Sequence, residues 1–266
     1  MKRTALLRVN AKDTKHLSPP RHGNGETAHQ PVARNEASPR PAMFRVQVNG
    51  NDRLARAQHL RRQRVSGLVG GDLGDAEPLG VLDLLEEVAR RCLVWVEYGL
   101  QSARDATLAA IHRGHDAACF LRALEAAHRR GIPVCAHVIL GLPGETAADA
   151  RFTADTLAAA GVDGVKLHNL YVVRGTRLDA LFRSGAYRCL ERQEYVDQVV
   201  DVLERLPART VVQRLTGDPH PEELAAPSWS REKATTLKAI HETLERRDTW
   251  QGKLCGNGAP VFPAVS

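Results

Sequence analysis

Four short stretches carry side chains able to hold or transform a polar ligand. Trp95-Val-Glu97-Tyr-Gly99-Leu-Gln101-Ser102 closes an apolar run with a carboxylate, an amide and a hydroxyl. A carboxylate at a strand end can receive an ammonium or ribose hydroxyls, while the amide and hydroxyl hold the rest of a nucleoside-like ligand. Equally, Glu97 can pair with Arg104 or Lys166 and take no ligand. In Gly141-Leu-Pro-Gly-Glu-Thr146 the glycines let backbone approach a ligand and Pro143 fixes the turn. Thr146 is placed to cap a following helix, whose free N–H groups suit an anionic or polar group. Lys166 and His168 alternate with Val165 and Leu167, so both face one side of a strand as acid, base or ligand contacts. A lysine so placed also suits the Schiff-base amine of an ordinary barrel lyase. His112-Arg-Gly114-His115-Asp116 suggests metal or phosphate contact, or more simply a helix-ending glycine followed by an aspartate that caps the next helix.

Other chemistries lose their support. The sequence has no Gly-x-x-x-x-Gly-Lys loop, no His-Glu-x-x-His and no Gly-x-Ser-x-Gly elbow. Its five cysteines, at positions 92, 119, 135, 189 and 255, have neither the spacing of a disulfide framework nor that of a metal clamp.

The elements that must position these residues follow from periodicity. Val81 to Val88 has apolar residues at helical spacing, and Cys92 to Val96 is a short run rich in β-branched residues, hence a helix and then a strand. Helical stretches at Ala103 to Ile111 and Ala117 to Arg129 lead through Gly131-Ile-Pro to a strand at Val134 to Leu140. An alanine-rich helix, Thr146 to Ala160, is stopped by Gly161 and followed by a strand at Gly164 to His168. This alternation predicts a parallel sheet with outer helices. Glu97, Gln101 and Ser102 fall just past the first strand, Gly141 to Glu145 just past the second, and Lys166 with His168 at the end of the third. In a (β/α) barrel or half-barrel those ends form the ligand-binding face. Beyond Thr176 the alternation loosens into helices at Arg177 to Arg183, Glu191 to Leu206 and Arg231 to Arg247, with a strand at Thr210 to Leu215. That is too few strands for a closed eight-stranded barrel.

Charge divides the chain as well. Residues 1–65 hold 14 Lys and Arg against 4 Asp and Glu, about +10, so the remainder carries about −4 of the net +6. With its Pro, Ser, Asn, Gly and Arg content, this part reads as mostly disordered, with one weak alternating run at Phe44 to Val48. A basic arm can touch nucleic-acid phosphates, although no aromatic residues are interleaved for base stacking. The expected organisation is a basic segment at 1–77, a partial barrel at 78–182 and a small α+β C-terminal extension at 183–266. No stretch approaches the roughly 18 apolar residues of a membrane span, so a cytoplasmic protein without membrane contact is expected.

Taken in order, Val94-Trp-Val-Glu-Tyr-Gly-Leu-Gln-Ser102, Ile111-His-Arg-Gly-His-Asp116, His137-Val-Ile-Leu-Gly-Leu-Pro-Gly-Glu-Thr146 and Gly164-Val-Lys-Leu-His-Asn-Leu-Tyr-Val-Val-Arg-Gly-Thr176 resemble the later half of a radical S-adenosylmethionine (radical SAM) protein. The resemblance is to a little-characterised bacterial family related to the elongator catalytic subunit and to oxygen-independent coproporphyrinogen dehydrogenase. It implies an α/β fold, a partial (β/α) barrel of radical SAM type that is incomplete at its N-terminal side. The implied cofactors are S-adenosylmethionine (SAM) and a 4Fe-4S cluster held by a C-x3-C-x2-C motif; together they yield a 5′-deoxyadenosyl radical. By that resemblance Glu97, Gln101 and Ser102 contact the methionine or ribose of SAM, and Ile139, Gly141, Pro143, Gly144 and Glu145 form the turn against adenine. Leu167 and His168 then lie near adenine or substrate. Kinship hints at tRNA, another RNA or a tetrapyrrole as substrate. The chain departs from the family before residue 78, where the cluster motif belongs and where no cysteine occurs. A truncated or frame-shifted, catalytically impaired family member is therefore expected, the alternative being a nucleotide- or RNA-binding module without activity.

Overall fold

In the computed structural model, which describes residues 44–49 and 79–255, the chain runs β1 (Phe44–Asn49), α1 (Leu79–Ala89), β2 (Leu93–Gln101), α2 (Asp105–Ala110), α3 (Ala117–His128), β3 (Val134–Leu140), α4 (Ala147–Ala160) and β4 (Gly164–Asn169). It continues through β5 (Val172–Val173), α5 (Arg177–Arg183), α6 (Arg192–Arg205), β6 (Val211–Arg214), β7 (Leu224–Ala226), a short 3-10 helix (Ser228–Arg231) and α7 (Lys233–Arg246). One sheet has the order β1-β2-β3-β4-β6, and β5 pairs with β7 in a separate two-stranded ribbon. The four strands β2, β3, β4 and β6 are parallel, while β1 lies antiparallel along the outer edge of β2. The order is open, with β1 and β6 as its edges among the described residues.

Side-chain alternation gives this sheet two unlike faces. Val94, Val96, Leu100, Val134, Ala136, Val138, Leu140, Val165, Leu167 and Val212 are buried with helix residues such as Phe120, Leu124, Leu157, Val199 and Leu203 in one continuous core. Each fully buried Val, Leu or Phe contributes about 1.5–3 kcal/mol relative to exposure. The other face carries Trp95, Glu97, Gly99, Cys135, His137, Ile139, Gly164, Lys166 and His168, and several of these are half-buried. An apolar face fixes the register, since a one-residue slip would drive the polar set into the helical layer.

Local signals set the helix limits. Thr146 accepts from the Ala148 amide and Asp149 reaches back to the Thr146 amide, a capping box at the start of α4. Gly161 ends that helix at φ 73°, a left-handed value that glycine adopts at little cost. Asp116 caps α3 by accepting from the Cys119 amide at 2.6 Å.

Three expectations are revised. Glu97 and Gln101 lie within β2, which continues through Gln101. A buried carboxylate that finds partners need not end a strand. The alternating run at Phe44 to Val48 forms β1, because the free edge of β2 supplies hydrogen bonds that an isolated run lacks. The rest of the basic segment lies outside the described residues. The chain from 183 onward is not a separate layer: Tyr195, Val196, Val199, Val200 and Leu203 of α6, with Ile240 and Leu244 of α7, join the main core. β6 meanwhile extends the main sheet. A smaller cluster around Val172, Tyr187, Cys189 and Ala226 sits by the ribbon, and the Tyr187 hydroxyl donates to the Gly141 carbonyl at 2.9 Å. No helix among the described residues is long and apolar enough to cross a membrane.

Candidate functional site

Parallel pairing brings the polar residues of three strands into one layer. Glu97 pairs in register with Cys135, Gly99 with His137, His137 with Lys166, and Ile139 with His168. Across these rungs Glu97 takes an ion pair from the Lys166 ammonium and a hydrogen bond from His137 Nε2 at 2.9 Å. The His137 and His168 rings stack with centroids 5.7 Å apart and planes 25° from parallel. Arg214 stands opposite Lys166 on β6.

The electrostatics of the layer follow from burial and this pairing. Glu97 is 1% exposed. Burial alone would raise its pKa, but hydrogen bonds from His137 and Lys166, reinforced by their charges, hold it below its usual value. His168 is pushed down to about 3, chiefly by burial and then by the cations of Arg214, His137 and Lys166, so it is a neutral imidazole near neutral pH. Its Nε2 is buried and meets no hydrogen-bond partner.

A second group gathers at the C-terminal end of β2. Arg113, from the loop between α2 and α3, donates through Nη2 to the Gly99 carbonyl at 3.0 Å and through Nε to His115 Nε2 at 2.9 Å. His115 Nδ1 lies 3.2 Å from the Asp116 carbonyl, so the ring is held in the tautomer protonated at Nδ1. Burial lowers the Arg113 pKa, and no carboxylate is paired with it among the described residues. A Cβ on Gly99 would overlap both Arg113 Nη2 and Gln101 Nε2, so glycine here is what lets the two side chains close over the strand end. Gln101 itself sits at φ 70°, unusual for a residue with a side chain and a point of stored strain.

The turn after β3 completes the rim. Gly141 and Gly144 adopt φ 88° and 82°, and among the described residues no heavy atom other than those of Gly144 and its chain neighbours lies within 4 Å of where a Gly144 Cβ would stand. That leaves backbone open to approach. Ser102 Oγ donates to Glu145 Oε1 at 2.5 Å and accepts from the Arg104 amide at 3.0 Å. Burial raises the Glu145 pKa against the hydrogen bonds from Ser102 and Thr107.

Set against the sequence reading, Glu97, Ile139 and His168 share one face of the sheet, while Gln101 and the Gly141 to Gly144 turn stand at the C-terminal ends of β2 and β3. Ser102 and Glu145 are turned toward each other and lock the turn, with both hydrogen-bonding roles of the serine already taken. Leu167 is 0% exposed within the helical core, so as a side-chain contact that expectation fails; strand alternation turns it away from Lys166 and His168. Glu97 chooses Lys166 over Arg104, which pairs with Asp149 at 2.9 Å. The residues missed were Arg113, His137 and Arg214. Arg113 sits in a segment whose caps dominate its sequence signal, and His137 in a strand whose signal is apolar. Arg214 lies in a strand whose neighbour no periodicity could name.

The thiols do not suit a 4Fe-4S cluster. Cys92 donates to the Val88 carbonyl at the opposite end of β2, and Cys135 and Cys189 are buried with pKa values raised by that burial. All five cysteines lie at or beyond position 92, and no group of three or more His, Cys, Asp or Glu suited to a metal ion occurs among the described residues. A half-buried guanidinium with no paired carboxylate among the described residues, a strand-end amide and a glycine turn with open backbone together suit a ligand that carries a carboxylate and other polar groups.

Comparison with known proteins gives the chain's family. The family model described as Radical SAM superfamily matches residues 45–157, and that described as Radical_SAM C-terminal domain matches residues 162–246. The chain is 32% identical over 237 residues to Protein YhcC of Escherichia coli, covering 87% of this chain and 76% of that protein. It is 37% identical over 179 residues to the uncharacterized protein YtqA of Bacillus subtilis, where the match spans 67% of this chain and 56% of that protein. Among solved structures it resembles the archaeal Methanocaldococcus infernus Elp3 with an N-terminal deletion, with a TM-score of 0.52 at 18% identity, covering 58% of this chain and 36% of the other.

Proposed function

The chain belongs to the radical SAM superfamily, and we propose that its polar sheet face binds SAM, while the chain as it stands does not assemble the iron–sulfur cluster. The observation that carries this reading is Arg113: a half-buried guanidinium, hydrogen-bonded only to neutral groups among the described residues, at the mouth of a polar layer. A half-buried cation without a counter-charge is only partly solvated, and the carboxylate of a bound amino-acid moiety would supply the missing partner. Gln101 then donates to or accepts from the same moiety, and the backbone of Gly141 to Gly144 faces the adenine, with Ile139 beneath it. Glu97 and Lys166, paired with each other, hold the floor of the site rigid rather than meeting the ligand with a free charge. Lys166 is thereby a poor choice for a Schiff-base amine. Bound SAM supplies a sulfonium whose reductive cleavage needs an electron, and the thiols of this chain offer no seat for the cluster that delivers it.

Titration calorimetry of the full chain with SAM and with S-adenosylhomocysteine tests the reading. Both are expected to bind, and Arg113→Gln is expected to weaken binding by about tenfold or more, the loss of a charge-assisted hydrogen bond to a desolvated carboxylate. Anaerobic reconstitution with iron and sulfide is expected to give no iron–sulfur absorption. A chain that ignores SAM refutes the binding half, and a stoichiometric cluster that cleaves SAM refutes the other.

A further inference from the structure

We propose that the part of the inner face formed by Lys166, His168 and Arg214 is an oxyanion site, separate from the Arg113 end, that receives a carboxylate or phosphate of the substrate at His168 Nε2. It rests on the reading of this sheet face as the ligand site, but not on which cofactor binds there.

Three observations converge on it. First, His168 Nε2 is buried and unpartnered, and a polar atom left so carries a desolvation cost that the folded chain alone does not offset. Second, the charges around it are unbalanced. Among the described residues, the sole carboxylate of the layer, Glu97, is already occupied by Lys166 and His137. Arg214, in register with Lys166 across β4 and β6, has no acidic partner among the described residues. Third, the groups facing His168 are Glu97 from β2, His137 from β3, Lys166 from β4 and Arg214 from β6, so cations dominate. Burial first, and then that excess, keeps the imidazole neutral, its pKa down at about 3. An arriving oxyanion reverses the balance. It screens Arg214 and Lys166, offers His168 an acceptor, and favours the imidazolium, so affinity should rise as pH falls.

The test uses the full chain with isotopically labelled histidine, inorganic phosphate and acetate as separate probes, and NMR of the His168 ring. Phosphate or acetate is expected to shift the His168 signals and raise the pH at which it titrates; whichever is stronger names the oxyanion. Arg214→Gln is expected to weaken that response by about tenfold or more, and Arg214→Lys to restore most of it, which separates lost charge from lost folding. His168→Gln should abolish the raised-affinity limb at low pH. Absence of any anion-dependent shift at His168 overturns the proposal. So does full competition between phosphate and SAM, since the anion would then be the cofactor's own carboxylate. Anion binding without SAM binding would sustain this site while removing the cofactor reading.

Discussion

Glu97 is the residue on which the charge balance of the inner layer turns. It is a buried carboxylate held ionised by two neighbours, and without it the Lys166 ammonium would lie uncompensated in the layer that also holds the His168 ring. Lys166→Met leaves the carboxylate with His137 alone, and breaking a buried pair this way costs about 3–5 kcal/mol. The double variant Glu97→Gln with Lys166→Met should lose clearly less than the sum of the single changes, as read from urea midpoints, because neither charge is then stranded. Equal costs would mean the pair is not coupled. The pH dependence has a fixed sign. Glu97 is held below its ordinary 4.5, so its contribution is present above 4.5 and fades as pH falls through its folded value. His168 is held at about 3 against 6.5 when free, so the unfolded chain takes up its proton first. The associated stability is complete above 6.5 and is lost between 6.5 and about 3. Urea midpoints measured at neutral and mildly acidic pH should therefore fall with pH, and His168→Gln should flatten that fall.

At the scale of elements, two glycines on strands either side of β3, Gly99 on β2 and Gly164 on β4, separate positioning from packing. A Cβ on Gly164 would stand 2.9 Å from Trp95 Cζ3 and 3.2 Å from the Val211 carbonyl, against a ring and a backbone that cannot yield cheaply. Gly164→Ala should cost about 1–3 kcal/mol of stability as overpacking between β2, β4 and β6. A Cβ on Gly99 meets only the tips of Arg113 and Gln101, which can swing away. Gly99→Ala should thus cost less than about 1 kcal/mol in unfolding yet weaken SAM binding about as much as Arg113→Gln does. A Gly99→Ala chain that binds SAM normally would show that those two side chains do not serve the ligand. The contrast also explains what was legible in sequence. The three central strands, α4 with its Thr146 cap and Gly161 stop, and the run Arg177 to Arg183 follow from period and punctuation that act within a dozen residues. β5 and β7, of two and three residues, carry too few side chains to show a period. The pairing of Glu97 with Lys166 spans 69 positions and depends on register, which periodicity does not encode. Gly141 stands out because turn glycines advertise themselves; Arg113 does not, because a guanidinium laid over a backbone carbonyl leaves no local mark.

For the whole molecule, charge and topology act at different ranges. Residues beyond 65 carry about −4 in sum, so the cations of the inner face attract anions only at close quarters, whereas residues 1–65, at about +10, set the long-range field. Screening at physiological salt limits the first effect to about 8 Å. Any polyanionic partner, RNA among them, should therefore be met first by the basic segment and only then reach the sheet, and the two interactions should respond differently to salt. A full-length variant with Arg53, Arg56, Arg61, Arg62 and Arg64 replaced by Gln keeps β1 and the inner face while removing five cations. If the segment binds single-stranded RNA, the plot of log affinity against log salt should flatten by about 0.7 for each phosphate that is no longer neutralised. SAM binding is expected not to change, because the proposed site is built from residues of β2, β3, β4 and β6. A slope unchanged by the five substitutions removes the segment from RNA recognition. A loss of SAM binding in the same variant would instead tie it to the pocket, since five neutralised charges have no other route to a site built on β2, β3, β4 and β6.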